Sequence, residues 1–355
     1  MGASSVLYNS IVTMTGLKDA IKKMPKAELH RHLEGCVRVP TIIDLARRHG
    51  LKLPTFDATE LAKSAKLSGP MGSLAEVLGM FELAQSAFVS YEAVERITFE
   101  AMEDAFAKET IRLLELRYSP DFMLKGKGLD WQKALDVMLG AIRDFQRNRP
   151  FFCGVIVIAS RSYGMESALK TVDFAVKNKS RVIGFDFADD EINYPSSLYA
   201  GAAKKLHGAG IALTVHSGEE GEYTQVLDTI TYLNPRRIGH GVKSVEDPSG
   251  RTLELIKEKK ITIETNPWSN YLTRAVERLE DHPLKKFITA GVSVSVSADD
   301  PQILDTDLNK EYLLAVEKIG LSMDDLAYAN RCALAASFLP PEIKQEAAKA
   351  FRAKM

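Results

Sequence analysis

Val182-Ile183-Gly184-Phe185-Asp186-Phe187 and Ile211-Ala212-Leu213-Thr214-Val215-His216, with Leu198 to Ala209 between them, form a unit from which the architecture can be read. The two outer runs are short, apolar and rich in branched side chains, as strands buried on both faces are. The middle segment repeats apolar residues at three- and four-residue spacing, the pattern of a helix packed on one face. It closes on His207-Gly208-Ala209-Gly210, where glycine suits a left-handed C-cap. Strand, helix and strand in this order make a βα unit.

The same unit repeats along the chain. Further strand-like runs are Ala27 to Leu33, Ile111 to Tyr118, Cys153 to Ala159, Arg237 to Gly241, Ile261 to Thr265 and Val292 to Ser297. Helical patterns lie between them, among them Trp131 to Phe145, Glu166 to Asn178 and Arg251 to Lys257; Ala290-Gly291 ends another. Eight strands alternating with helices, and no Gly-rich phosphate turn after the first, predict a TIM-type (β/α)8 barrel and not an open doubly wound sheet. Neither GxGxxG nor GxxxxGK[ST] occurs, so nucleotide-phosphate cradles are not supported.

One interval is too long for a βα crossover: about 75 residues separate the first two strands. Pro40 to Lys108 reads as several helices, with Lys63 to Gly72 as a hinge region. An insertion there would sit over the C-terminal mouth of the barrel, where active sites of this fold are built. The length of 355 residues would allow two domains at roughly 150 residues each. The expectation is instead one domain, 1–355, with a helical lid between strands 1 and 2 at about 40–108.

Composition bounds the partners. Lys and Arg total 46 against 47 Asp and Glu, a formal net charge of −1, with 45% hydrophobic and 26% charged residues. That is globular composition, and the charge balance argues against nucleic acid or an anionic membrane as partner. A small molecule is expected instead. Three scattered cysteines (Cys36, Cys153, Cys332) form no CxxC pair and suit a reducing compartment. No run of about 18 apolar residues predicts a membrane span, and Met1 to Lys23 lacks the pattern of an export signal. A cytoplasmic protein is expected; nothing in the sequence sets an oligomeric state.

Of seven histidines, the informative ones end strands. His30 and His32 are two apart, so on a strand both side chains face one way. His216 and His240 end two later runs, and Asp299-Asp300 follow the last. A hydrogen-bonded core pair is the plain reading of His30 and His32, and a helix N-cap that of Asp299-Asp300-Pro301. Their shared place at strand ends argues for a metal instead. Three imidazoles and a carboxylate suit zinc; magnesium or calcium would ask for more oxygens. Glu219 follows His216 closely and could protonate a substrate beside the metal, and His240 could accept a proton from, or orient, a water there. Spacing alone does not say which histidines bind and which assist. His49 and His207 sit in helical segments near glycine and are expected to be exposed or at a helix C-terminus. His282 receives no role.

Four segments carry a resemblance: Pro25 to Gly35 (PKAELHRHLEG), Thr214 to Glu219 (TVHSGE), Ile238 to Gly241 (IGHG) and Ser297 to Pro301 (SADDP). In order and spacing they resemble the adenosine deaminase family of zinc hydrolases, over nearly the whole chain from about residue 24 to about residue 345. Glu115 to Pro120, Pro267 to Thr273 and Ser337 to Pro340 add lesser matches, and Pro267-Trp268-Ser269 and Asp305 to Asp307 resemble the adenosine branch more than the adenine branch. The resemblance implies one Zn2+ per chain held by His30, His32, His216 and Asp299. It implies Glu219 as proton donor to purine N1 and His240 beside the attacking oxygen. It also gives Asp300 to purine N7, Glu34 to the sugar 5′-hydroxyl, and the position of Asp189 to purine N3 through its backbone N–H. His32 would thus face both metal and substrate. Leu74, Val77, Leu78 and Phe81 share one apolar helix face in the lid, which either packs on the barrel or covers the substrate. Arg117 and Arg161 are expected to pair with carboxylates at the barrel mouth.

Two positions depart from the family pattern: Glu34 stands where Asp is usual, and Asp189 where Gly is usual. Asp is among the better replacements if that Gly needs positive φ. The expected activity is hydrolytic deamination of adenosine and 2′-deoxyadenosine to the inosines and ammonia, in purine salvage. The alternatives are a sister deaminase for another 6-aminopurine (adenine, aminodeoxyfutalosine or an N6-substituted nucleotide) and a non-catalytic binding protein.

Overall fold

The computed structural model describes residues 14–67, 69–71 and 74–352, apart from the side chains of residues 14, 74–79 and 352. The expectation of no export signal in residues 1–23 therefore falls largely outside the described residues, as do the side chains of Leu74, Val77 and Leu78.

Eight strands, β1 (Lys26–His32), β2 (Ile111–Tyr118), β3 (Phe152–Ser160), β4 (Gly184–Ala188), β5 (Ala212–Ser217), β6 (Arg237–His240), β7 (Thr262–Thr265) and β8 (Ser293–Val296), lie in sequential order, each parallel to the next. Every expected run is a strand, with boundaries displaced by two residues at most. The sheet closes through an isolated parallel bridge between Arg31 and Asp299 and not through a regular β8–β1 ladder. Asp299 N donates to His30 O at 3.1 Å and His32 N to Asp299 O at 3.0 Å. The seam of the barrel therefore runs through residues of the expected metal site.

The outward faces of the strands form the apolar core with the surrounding helices, for example through Leu116, Val157, Phe187, Val215, Ile263 and Val296. The interior is charged in its middle layers. Arg117 pairs with Asp186 and Glu264, each at 2.7 Å, and Arg237 with Glu115 and Glu264, each at 2.6 Å, all with side chains 0–1% exposed. Removing one member of such a buried network leaves the other charges uncompensated, at a cost of about 3–5 kcal/mol.

The long interval between β1 and β2 holds α2 (Val39–His49), α3 (Ala58–Ala65), α4 (Leu74–Ser86) and α5 (Tyr91–Glu103), following the N-terminal α1 (Met14–Lys23). The segment read as a hinge is partly helix, since α3 runs to Ala65. Beyond it, Leu67 N donates to Ile303 O at 2.8 Å and Met71 N to Leu272 O at 2.9 Å, tying the segment to the loops after β8 and β7. Among the described residues no helix is long and apolar enough to cross a membrane. All three cysteines are free.

Candidate metal and active site

The C-terminal ends of the strands bring the strand-end histidines and aspartates together. His30 and His32 close β1, His216 lies near the end of β5, His240 ends β6, and Asp299 and Asp300 follow β8. His32 Nε2 stands 3.3 Å from His30 Nε2 and 3.2 Å from His216 Nε2. An Asp299 carboxylate oxygen lies 3.2 Å from His30 Nε2 and 3.3 Å from His32 Nε2. Ligand atoms of His30, His216, His240 and Asp299 all fall within 4.8 Å of one another, and those of His32, Asp299 and Asp300 do likewise.

Two glycines make room for this convergence. A Cβ on Gly239 would meet His30 Cε1 at 2.8 Å, and one on Gly35 would meet Asp300 Oδ1 at 2.0 Å. Three site residues also hold positive φ without being glycine: Asp189 (79°), His240 (63°) and Asp299 (62°). Such conformations cost on the order of 1–3 kcal/mol each and persist only where the surroundings enforce them. The substitution of Asp for Gly at 189 thus falls where positive φ is required.

Outer contacts orient the imidazoles. His30 Nδ1 lies 2.8 Å from Glu264 Oε2, and His216 Nδ1 lies 3.0 Å from Asp186 Oδ2, while Arg117 holds both carboxylates. Carboxylates on Nδ1 leave each Nε2 lone pair free for a cation. Asp186 and Glu264 were not singled out by the sequence reading as site residues. The available signal was a charged residue inside an apolar parallel strand. Glu191, two positions after Asp189, was likewise passed over. Its carboxylate accepts from Gly218 N (2.7 Å), Glu219 N (2.9 Å), Glu220 N (3.0 Å), Gly221 N (3.2 Å) and Ser217 Oγ (3.1 Å), fixing the loop that carries Glu219.

A cavity of about 240 Å³ opens beside the cluster. Its lining includes His32, Glu34, Phe81, Asp189, Glu219, His240, Asp299 and Asp300, and no Lys or Arg among the described residues. Phe81, on α4, meets Phe122 edge-on at 6.2 Å. Burial, with Asp299 and Glu191 adding to it, raises the Glu219 carboxyl well above its usual range. Burial and the neighbouring Asp299 raise Asp300 as well. In Asp299 itself the effect of burial is overcome by the adjacent imidazoles, His30 foremost, and its pKa falls well below the usual carboxylate range. Neighbouring carboxyls of opposite tendency suit an acid set beside a cation-binding anion.

Glu34 begins a short 3-10 turn after β1 and accepts from Ser119 N at 2.7 Å, while its Oε2 has no partner. Burial raises its pKa from 4.5 to about 8. The protonated carboxyl contributes stability that is fully present below pH 4.5 and is lost as pH rises through about 8. Glutamine keeps the acceptor and never ionises. Urea denaturation of Glu34→Gln across that window is expected to show a stability gain over the parent that widens with pH; a constant difference would mean Glu34 is ionised throughout.

The remaining polar expectations divide. His49 is exposed at the end of α2, before Gly50 in a left-handed cap, and His207 Nε2 meets Leu233 O at 2.8 Å; neither joins the cluster. His282, given no role, is buried and bonded to Asn270 at 3.1 Å. Arg117 pairs with carboxylates as expected. Arg161 does not: it donates to the backbone carbonyls of His216 (2.7 Å) and Tyr194 (3.1 Å), which satisfy the guanidinium without an ion pair.

Residues 25–353 match the family model described as Adenosine deaminase. The adenosine deaminase of Shewanella denitrificans is 32% identical over 318 residues, 90% of this chain and 95% of that protein. Among solved structures, the N6-methyl-AMP deaminase of Arabidopsis thaliana superposes with a TM-score of 0.80 at 26% identity, over 95% of this chain and 98% of that one. An amidohydrolase from Burkhoderia ambifaria, with bound Zn, has the same fold with a TM-score of 0.84 at 21% identity, over 98% of this chain and 96% of that one.

Proposed function

The chain belongs to the adenosine deaminase family of hydrolases, and from that premise we propose that it converts adenosine and 2′-deoxyadenosine, with water, to inosine and 2′-deoxyinosine, releasing ammonia. The observation that carries the choice of substrate is the cavity lining. Glu34, Asp189 and Asp300 face it without any Lys or Arg among the described residues. A nucleoside is neutral, whereas a nucleotide phosphate would be taken out of water there with no cationic side chain to receive it, at a cost of several kcal/mol.

The reading includes one zinc ion on His30, His32, His216 and Asp299. The separations of 3.2–3.3 Å among these ligand atoms are those of donors converging on one small cation, and three imidazoles with a carboxylate would be donors that zinc accepts. When bound, such an ion acts as a Lewis acid that makes water nucleophilic near neutral pH. The chain supplies the rest. Glu219 in its acid form protonates N1 as the C6–oxygen bond forms, then takes a proton from the added oxygen and passes it to N6; the C6–N6 bond breaks, ammonia leaves, and the oxygen's remaining proton restores the acid form of Glu219 as C6=O forms. His240 faces the attacking oxygen, Asp300 binds N7, and His32 borders both metal and purine. Glu34 takes the sugar 5′-hydroxyl through its unpartnered Oε2, and the backbone N–H of Asp189 serves N3. Residues 40–108 act as a lid within a single domain spanning 1–355, with Phe81 over the substrate. A place in purine salvage follows from the product, and the free cysteines suit a cytoplasmic setting.

A panel of adenosine, 2′-deoxyadenosine, adenine, AMP and N6-methyl-AMP, read by ammonia release, tests the proposal. Adenosine is expected to exceed the nucleotides in kcat/KM by about 10²-fold or more, the size of a several-kcal/mol cost for burying a phosphate without a cationic partner. A tenfold preference for free adenine or for either nucleotide would overturn it.

A further inference from the structure

Unlike those of His30 and His216, the outer nitrogen of His240 meets no carboxylate among the described residues. Its Nδ1 lies 2.9 Å from Asn270 Nδ2 and 3.2 Å from Asn266 Nδ2. Asn270 Oδ1 lies 3.1 Å from His282 Nε2, and Leu284 N lies 3.1 Å from His282 Nδ1. His240, Asn270 and His282 are all at most 3% exposed, so water cannot substitute for these partners.

The direction of every bond in this chain follows from its far end. A backbone N–H can only donate, so His282 Nδ1 accepts from Leu284. His282 is buried and neutral, its pKa lowered to about 3, so its single proton sits on Nε2 and is donated to Asn270 Oδ1. That fixes the Asn270 amide with its NH2 toward His240, and His240 Nδ1 must accept. An imidazole that accepts at Nδ1 carries no proton there. Its one proton is therefore on Nε2, which points into the site 3.3 Å from Glu219 Oε2.

We propose that Asn270 and His282 are positioning residues that fix His240 as the tautomer protonated on Nε2, so that His240 meets the attacking oxygen as a hydrogen-bond donor and not as a base. The inference rests on the deaminase reading for its consequence, but the tautomer itself is independent of any substrate. Asn270 and His282 stand 30 and 42 positions from His240 and reach it from the segments after β7 and before β8. They hold a residue that is itself forced to positive φ, so orientation and tautomer are set together.

The test uses the zinc-loaded full chain with 15N-labelled histidine. Correlation of ring nitrogens with ring protons is expected to show His240 protonated on Nε2 and His282 also on Nε2. A proton on His240 Nδ1 in the parent enzyme overturns the proposal, whatever the substrate proves to be. Asn270→Asp presents only acceptors to Nδ1 and should move the proton there, lowering kcat by about 10²-fold with little change in KM or zinc content. His282→Gln can still donate to Asn270 and should retain activity that His282→Leu loses. Turnover by Asn270→Asp within about threefold of the parent contradicts the role.

Discussion

Replacing Glu219 with glutamine is expected to lower kcat by about 10³-fold while leaving metal content and fold unchanged, the scale of a lost general acid. Glutamine fills the same volume and has no proton to give to N1. Stability should not fall with activity. Burial and the charges of Asp299 and Glu191 disfavour ionised Glu219, so a neutral amide relieves strain that the parent carries at neutral pH. The loop around it is held through backbone N–H groups bonded to Glu191, which the substitution leaves in place. The pH profile gives a second readout. Because the acid form is required, kcat/KM of the parent should decline as pH rises through the raised Glu219 pKa. That alkaline limb should be absent from the residual activity of the variant. Denaturation midpoints, zinc analysis and the profile together separate the outcomes: undiminished kcat, or an unchanged alkaline limb, contradicts the role.

The parts of this site legible in the sequence are those that break a local pattern. His30, His32, His216, His240 and Asp299 each end or follow an apolar run, where a polar side chain has no reason to sit unless it faces the barrel mouth. Strand limits were readable to within two residues because β-branched runs and glycine caps mark both ends. The supporting residues were not legible to the same degree. Asp186 and Glu264 occur inside strands, and their purpose depends on Arg117, which reaches both across the barrel. Glu191, Asn270 and His282 act on residues 26 to 42 positions away, and no periodicity encodes such a pairing. Phe81 shows the opposite difficulty. Its helix face has the spacing of packing and of substrate covering alike, and its place in the cavity lining is visible only in the fold. Arg161 failed for a related reason, since a buried guanidinium is satisfied equally by carbonyls, which a sequence does not display.

Stripping the metal with a chelator is expected to abolish turnover, by about 10³-fold or more, and to do so reversibly. The loss follows from removing the Lewis acid that makes water nucleophilic near neutral pH. Reversibility follows from what remains. His30 and His216 keep their bonds to Glu264 and Asp186, and Arg117 keeps both carboxylates, so the imidazoles are held in place by the barrel itself. The apo protein should therefore stay folded but melt a few degrees lower. Ligation present at a hundredfold excess over its Kd contributes about 2.7 kcal/mol. Zinc should restore activity and melting temperature together. Magnesium should restore neither, because three imidazoles and one carboxylate offer too few oxygens for a hard cation. Activity that survives chelation, with metal analysis showing an empty protein, would exclude metal-dependent hydrolysis and with it the ligand roles of His30, His32, His216 and Asp299. Activity restored equally by magnesium would leave those residues near the chemistry but make zinc the wrong ion for them.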